Sequence, residues 1–309
     1  MRIAVSVALV LLMNGCGGGG GGTPNRVGAT AAFHAADDFA YQLQNVDPAT
    51  VRQSAFDVLI IDYSRDGSEA GEWTAQQVAE MKNGPGGRHI LLAYMSIGEA
   101  EDYRFYWRDE WRPGEPSFIM AANPDWPGNY PVRFGDPRWQ QIIFGSSDSY
   151  LGRIIRQGFD GVYLDRVDVY QEIDDPAVDE RAAMVDFVSA LARWARRQKP
   201  GFIVVPQNAA ELLALPQYRE VVDGIGQEEL HYGWEGEDGR PAPADVRRQI
   251  EGYLDLLRAD GKPVLVIDYC TSQAQIDEAY RQSAAKGYLC YCPPRDLDAL
   301  VVNPGHEPD

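Results

Sequence analysis

The sequence predicts an α/β fold, a (β/α)8 barrel with a long insertion after its third strand. Three observations lead there. Eight short apolar runs recur along the chain, each ending in a polar or acidic residue. Helical stretches separate them, the alternation that builds a parallel sheet covered by helices. No Gly-x-Gly-x-x-Gly follows the first run, so the phosphate-binding turn of an open doubly wound sheet is missing. The polyglycine at 17–22 meets that expression trivially and precedes every strand.

Composition bounds the rest. A chain of 309 residues, 45% hydrophobic and 11% aromatic, can bury a large core, which excludes disorder. Its 46 acidic against 28 basic residues leave a formal charge of −18. That balance disfavours nucleic acid and anionic lipid surfaces, whose phosphates need basic patches.

The chain opens with Arg2 and an apolar run at 3–13, then Asn14-Gly15-Cys16. This is the pattern of a signal peptide and is too short to span a bilayer. Gly15 before Cys16 resembles the lipobox of bacterial lipoproteins, whose cysteine is lipidated. The expected division is a signal peptide at 1–15, a lipid-anchor cysteine with a Gly-rich linker at 16–36, and the barrel at 37–309. The expected location is outside the cytoplasm, lipid-anchored to the bacterial cell envelope or secreted, with any membrane contact made through the anchor alone. The barrel is expected to be a monomer.

The eight strands are expected at 39–43, 58–63, 90–96, 161–165, 202–207, 224–228, 264–269 and 288–292. The clearest helices are expected at 179–198, 244–259 and 272–286. In the first of these, Met184, Phe187, Val188, Leu191 and Trp194 recur at helical spacing while Arg193, Arg196 and Arg197 face out. That makes Met and Trp core residues there. Gly261-Lys262-Pro263 and Lys286-Gly287 mark helix ends that lead into the last two strands. The connection from Ser96 to Gly161 exceeds what a helix and two loops require. Its excess, at 98–138, carries Trp107, Trp111, Trp126 and Tyr130 and reads as a substrate-shaping loop above the third strand.

Barrel chemistry sits at the C-terminal strand ends, and here those ends are acidic. Asp62 and Tyr63 close the second strand, and Asp165-Arg166 the fourth. Asn208 and Glu211 follow the fifth, Glu228-Glu229 end the sixth, and Asp268-Tyr269 end the seventh. Side chains alternate across a strand. Tyr163 and Asp165 therefore share the inner face, as do Gly224, Gly226 and Glu228, with the glycines leaving interior space and Glu229 turned away. Asp165 and Glu228 form the candidate catalytic pair, because glycoside cleavage needs one carboxyl to protonate the leaving oxygen and another to attack or activate water. The candidate substrate-binding set is Asp62, Tyr63, Tyr94, Glu99, Tyr163, Asn208, Glu211, Tyr232, Trp234, Asp268, Tyr269 and Arg295. Asp62 and Asp268 could instead pair with arginines such as Arg295. Glu211 could begin a helix, and Asp168 reads as a loop cap. The histidines read as surface or core residues, with His231 near enough to line the site.

Four scattered histidines and the lack of any Cys-x-x-Cys argue against zinc. No cofactor is expected. Cys270, Cys290 and Cys292 allow one disulfide and one leftover thiol. Cys290 and Cys292 share a strand face too far apart to bridge easily, so Cys270 with either of them is the expected pair.

Six segments together resemble glycoside hydrolase family 114, the endo-α-1,4-polygalactosaminidases. They are Tyr-Gln-Leu at 41–43, Ile-Asp-Tyr at 61–63, Ala-Tyr-Met-Ser-Ile-Gly-Glu-Ala-Glu-Asp-Tyr-Arg at 93–104, Trp-Pro-Gly-Asn-Tyr-Pro-Val-Arg-Phe at 126–134, Gly-Phe-Asp-Gly-Val-Tyr-Leu-Asp at 158–165 and Pro-Arg-Asp-Leu-Asp at 294–298. The resemblance implies a TIM barrel and endo-hydrolysis of an α-1,4-linked galactosamine-containing exopolysaccharide. It also implies a catalytic Asp after strand four and Glu after strand six, here Asp165 and Glu228, agreeing with strand parity. By analogy Asp165 is the nucleophile and Glu228 the acid/base of a retaining reaction. Gly135 departs from the pattern, where a large aromatic is expected before Asp136-Pro137; Cys290 and Cys292 are unusual for the last strand. A barrel that binds polysaccharide without turnover, and a glycosidase for a neutral or N-acetylated exopolysaccharide, are the rival readings.

Overall fold

The computed structural model describes residues 27–85 and 87–308. The expected signal peptide, Cys16 and the glycine spacer lie outside the described residues. Eight parallel strands follow the eight apolar runs: β1 (Phe39–Gln42), β2 (Val58–Asp62), β3 (Ile90–Ser96), β4 (Gly161–Asp165), β5 (Ile203–Pro206), β6 (Ile225–Glu228), β7 (Val264–Ile267) and β8 (Leu289–Tyr291). Several are shorter than the runs by a residue or more at an end, where the chain turns away from its neighbour's ladder.

Strands β1 to β5 pair in sequence order, all parallel. So do β6 to β8. Gln207 makes a parallel bridge with Gly226, and the Asn208 N–H donates to the Gly226 carbonyl at 2.8 Å, joining the two sets. At the other side the Phe39 and Tyr291 rings meet at 5.8 Å, and the Leu43 and Gln44 N–H groups donate to the Leu297 carbonyl at 2.8 and 3.0 Å. The result is a barrel-like α/β fold. Its strands are covered on both faces, so they read as continuous apolar runs; all seven residues of β3 are buried.

Helices cover the strands where the sequence places stop and start signals. Asp179 accepts from the Ala182 N–H and caps Glu180–Gln198, whose Met184, Phe187, Val188 and Leu191 are buried. Ser272 caps Gln273–Lys286, and Gly287 ends it at φ 70°. The helix Ala244–Ala259 falls where its periodicity puts it.

The expected linker boundary is corrected. Val27–His34 is a helix inside the stretch assigned to linker, with Phe33 fully buried and Ala29 nearly so. The Thr30 hydroxyl donates to the Gly201 carbonyl at 3.2 Å. The glycine run drew the boundary too far along the chain, and the apolar Phe33 marks where the packed domain begins.

The insertion between β3 and β4 builds a small core of its own. Glu99–Glu101 pairs antiparallel with Asn129–Pro131. Trp107 stacks on Tyr130 at 4.9 Å, Trp111 meets Trp107 at 5.4 Å, and Trp111 meets Phe118 at 5.4 Å. Three of the four aromatics expected to shape substrate contacts therefore hold the insertion together. Only Trp126 among them is exposed, at 58%.

Candidate active site

The C-terminal strand ends open into a cleft of about 1340 Å3, walled on one side by residues 120–127 of the insertion. Drug-sized pockets are smaller, roughly 300–1,000 Å3; this volume suits several sugar rings. Twelve acidic residues and four arginines line it.

Asp165 is the last residue of β4. Its Oδ2 accepts from the Tyr94 hydroxyl at 2.6 Å, and its Oδ1 from the Arg166 backbone N–H at 2.7 Å. Arg166 sits at φ 58°, and this left-handed turn folds its N–H back onto the carboxylate. Burial raises the Asp165 pKa, while these two donors oppose the rise. Glu228 ends β6. Its Oε1 accepts from the Tyr269 hydroxyl and its Oε2 from the Gln207 side-chain amide. The Asn208 Oδ1 takes the Glu228 N–H at 3.0 Å and the Gln227 amide at 3.2 Å. Burial pushes the Glu228 pKa up to about 7; Tyr269 works against it and the Asp165 charge adds to it.

Arginines set the frame around this pair. Arg104 is buried between Glu101, at 2.7 Å, and Asp62, at 2.8 Å. Asp62 is pushed up to about 6 by burial, with Arg104 opposing. Asp62 thus lines the cleft and pairs with an arginine, but the partner is Arg104, not Arg295. Arg166 reaches Glu99 at 3.1 Å, Glu172 at 2.5 Å and Asp168 at 3.6 Å. Glu99 also accepts from the amides of Asn123, at 2.7 Å, and Asn129, at 3.2 Å, which ties the insertion to the end of β4. Arg295 lies 4.0 Å over the Tyr269 ring and pairs with Glu229 at 2.8 Å and Asp238 at 2.5 Å. Glu229, expected to turn away, ends at the cleft wall on this arginine.

Asp168 differs from its neighbours. It lines the cleft, burial pushes its pKa up to about 6, and its ion pair with Arg166 is long. The turn Val167–Glu172 has Arg166 at its N-cap with no side-chain cap bond, and the Asp168 carboxylate accepts its own backbone N–H.

The structure brings Asp62, Tyr94, Glu99, Asp165, Asn208, Glu228, Tyr269 and Arg295 to the cleft. It leaves out the other predicted residues, each for a visible reason. Tyr63 is buried with its hydroxyl on the Gly67 carbonyl at 2.6 Å; it follows inward Asp62, so strand alternation turns it outward. Tyr163 lies beneath the cleft floor, fully buried. Glu211 is taken by the Tyr170 hydroxyl and, at 2.6 Å, by the Gln171 amide. Asp268 is buried and anchors the loop after β6: it accepts the N–H groups of His231 and Tyr232 at 2.8 and 3.0 Å and contacts His231 Nδ1 at 2.7 Å. His231 and Tyr232 are thereby drawn behind the strand ends, and Trp234 is half-buried outside the cleft lining.

Gln207, Glu101, Arg104, Asn123 and Asn129 were not singled out by sequence. Gln207 closes the fifth apolar run, Glu101 and Arg104 lie in the longest motif and Asn129 in the motif at 126–134, so these four had a signal; Asn123 had none. Among the described residues no cluster of three or more His, Cys, Asp or Glu is arranged to hold a metal ion.

A barrel-like fold with two carboxyls at the strand ends, over an acidic cleft several sugars long, has the build of a glycoside hydrolase. The profile of glycoside-hydrolase family GH114 matches residues 22–307, and the chain belongs to that family. An uncharacterized protein of Deinococcus radiodurans is 39% identical over 255 residues, covering 82% of this chain and 78% of that one. An uncharacterized protein of Thermotoga maritima is 34% identical over 284 residues, covering 88% and 84%. Among solved structures, the glycoside hydrolase domain of PelA from Pseudomonas aeruginosa superposes with a TM-score of 0.65 at 24% identity, over 87% of this chain and 98% of that one. At that identity the likeness speaks for the fold alone.

Proposed function

We propose that this glycoside hydrolase is a closed (β/α)8 barrel that cleaves α-1,4-linked galactosamine-containing exopolysaccharide within the chain. Asp165 acts as nucleophile and Glu228 as acid/base. The observation that carries this reading is the unequal setting of the two carboxyls. Burial raises both carboxyls, but in Asp165 the Tyr94 hydroxyl and the Arg166 backbone N–H oppose the rise, whereas Glu228 is pushed up to about 7 with the Asp165 charge adding to it. Near neutral pH Glu228 holds a proton for the leaving oxygen while the Asp165 carboxylate attacks the anomeric carbon. The bond from that carbon to the leaving oxygen breaks as the ester to Asp165 forms. Glu228, now ionised, takes a proton from water, whose oxygen attacks the anomeric carbon and releases Asp165 with retained configuration.

The cleft's volume, enough for several sugar rings, supports internal cleavage. Its acidic lining supports a substrate that carries free ammonium groups. The signal pattern at 1–15 and Cys16 support action outside the cytoplasm, at the cell envelope.

The test measures reducing ends released from α-1,4-galactosamine polymer by wild type, Asp165→Asn and Glu228→Gln. Each substitution is expected to lower the rate by roughly 10^3-fold, and the first-formed product should be the α anomer. Equal rates from all three proteins would refute the catalytic assignment; a β product would refute retention.

A further inference from the structure

The cysteines that the cleft does not use meet behind it. Cys270 and Cys292 bring their sulfurs to 3.4 Å, and the third thiol, Cys290, shares the same small cluster under the helix Gln273–Lys286. All three are unbridged. The contact follows from the ends of two neighbouring strands. Ile267 of β7 pairs with Tyr291 of β8, and the Asp268 N–H donates to the Tyr291 carbonyl at 3.1 Å. That sets Asp268 beside Cys292. The Tyr269 N–H then turns to the Tyr232 carbonyl at 3.2 Å, and this turn returns Cys270 to Cys292.

We infer that Cys270 and Cys292 are a disulfide site, a covalent staple between the ends of β7 and β8 that fixes the Tyr269–Arg295 stack behind Glu228. Cys270 directly follows Tyr269, the residue whose hydroxyl binds Glu228. Cys292 lies three residues before Arg295, whose guanidinium covers the Tyr269 ring at 4.0 Å. One bond between them therefore ties together the two segments that hold this stack. The two thiols differ in what they can do. Cys292 is buried and held on both sides of its peptide by Asn303, whose Oδ1 accepts the Cys292 N–H at 3.2 Å and whose amide donates to the Cys292 carbonyl at 3.0 Å. Cys270 is half-buried, so an oxidant reaches it first. Cys290 is buried, and burial raises its thiol pKa.

The oxidant is a disulfide, whether a small molecule or a thiol-oxidising protein. The Cys270 thiolate attacks one of its sulfurs and releases one thiol, leaving a mixed disulfide. The Cys292 thiolate then attacks the Cys270 sulfur and releases the second thiol. Two protein thiols are oxidised and one oxidant disulfide is reduced to two thiols. Closing the bond moves the sulfurs from 3.4 Å to about 2.0 Å, a shift that side-chain rotation at the half-buried Cys270 can supply.

The inference does not depend on the substrate, and its test reads connectivity instead of turnover. The full chain is treated with oxidised glutathione, alkylated, and mapped as peptides without reduction. A single Cys270–Cys292 link is expected, with Cys290 alkylated only after denaturation. Oxidation should raise Tm by roughly 5 °C, a gain lost in C270S and in C292S and kept in C290S. Amide exchange at 268–272 and 291–297 should slow in the oxidised protein. A link through Cys290 or Cys16, or three thiols still free after oxidation, would overturn the pairing. A Cys270–Cys292 link with unchanged exchange in those segments would overturn the holding role.

Discussion

The Tyr163 ring occupies the space that a side chain at Gly226 would need. A Cβ on Gly226 would lie 1.9 Å from Tyr163 Oη and 2.5 Å from the ring. The glycine on β6 therefore makes room for an aromatic on β4, one layer below Asp165 and Glu228. It does not open the interior to substrate. Tyr163 is fully buried and its ring packs on Tyr41 at 5.2 Å, so it has no free direction to yield. G226A is expected to destabilise the fold by about 1–3 kcal/mol and to lower turnover, since Glu228 is two residues further along the strand. Y163F removes a hydroxyl with no side-chain or backbone partner and should change stability by less than about 1 kcal/mol. Denaturant midpoints check both; a G226A midpoint equal to wild type would contradict the packing.

The carboxyls of the cleft predict how pH acts. Glu228 is raised from 4.5 to about 7, and Asp62 and Asp168 from 3.8 to about 6. Each binds its proton more tightly folded than unfolded. The stability they contribute is therefore full below their ordinary values and is lost as pH rises through about 6 and then about 7. Tm of the substrate-free enzyme should fall across that window, and E228Q should remove the upper part of the fall. On the proposed mechanism the same proton serves catalysis, so kcat/KM should decline on the alkaline side with an apparent pKa of about 7. Y269F deletes a donor that favours the carboxylate and should move that limb upward. A limb that stays in place would separate Tyr269 from Glu228.

Most of the eight strands were legible from apolar runs that two-sided burial imposes; β6, Ile-Gly-Gln-Glu, was legible from its glycines and its acidic end. Parity along β4 and β6 was enough to place Asp165 and Glu228 at the cleft. Parity also held the warning about Tyr63, which follows inward Asp62. What stayed hidden depends on contacts distant in sequence. Asp268 has the same strand-end signature as Asp165, and only the loop after β6, folded onto it through His231 and Tyr232, shows it to be an anchor. Asn123 and Asn129 reach Glu99 from across the insertion, where no periodicity constrains the chain. Trp107 and Trp111 looked like binding aromatics because composition cannot distinguish a stacked platform from a small core.

Arg104 balances two buried carboxylates, Asp62 and Glu101, so its loss should cost more than that of any surface arginine. R104M leaves both acids without their cation and is expected to destabilise by about 3–5 kcal/mol. R104K keeps the charge but loses the fork that bonds Glu101 through Nε and Asp62 through a terminal nitrogen. It should fall between R104M and wild type. Urea denaturation orders the three proteins, and equal stability of R104M and wild type would remove the arginine from the frame.

Asp168 is the inner cleft acid whose oxygens the protein leaves most open. Asp62, Glu99, Asp165 and Glu228 each accept hydrogen bonds from other residues, whereas Asp168 has its own backbone N–H and the 3.6 Å contact with Arg166. An ammonium group on the substrate is the donor such a carboxylate would take. D168N should raise KM for a fully deacetylated galactosamine oligomer by roughly 10-fold and change KM for an N-acetylated one much less. The surrounding acids act at longer range, so wild-type kcat/KM on the cationic oligomer should fall as salt rises from 0.05 to about 0.5 M. Equal effects of D168N on both oligomers would assign Asp168 a structural task.

Trp126 and Tyr103 are exposed aromatics that the insertion places along the cleft; the Tyr103 hydroxyl is taken by Glu101 and the other tryptophans are committed to packing, which leaves the Trp126 indole open. A sugar ring stacked on it is expected to contribute binding without chemistry. Its loop is anchored by Asn123 and Asn129 on Glu99, not by the indole, so truncating the side chain should leave the fold intact. W126A is expected to keep the wild-type Tm and kcat while raising KM for long polymer by several-fold. Short oligomers that cannot reach the indole should be cleaved as by wild type. Equal KM increases on short and long substrates would place Trp126 beside the cleaved bond instead of at a distal subsite.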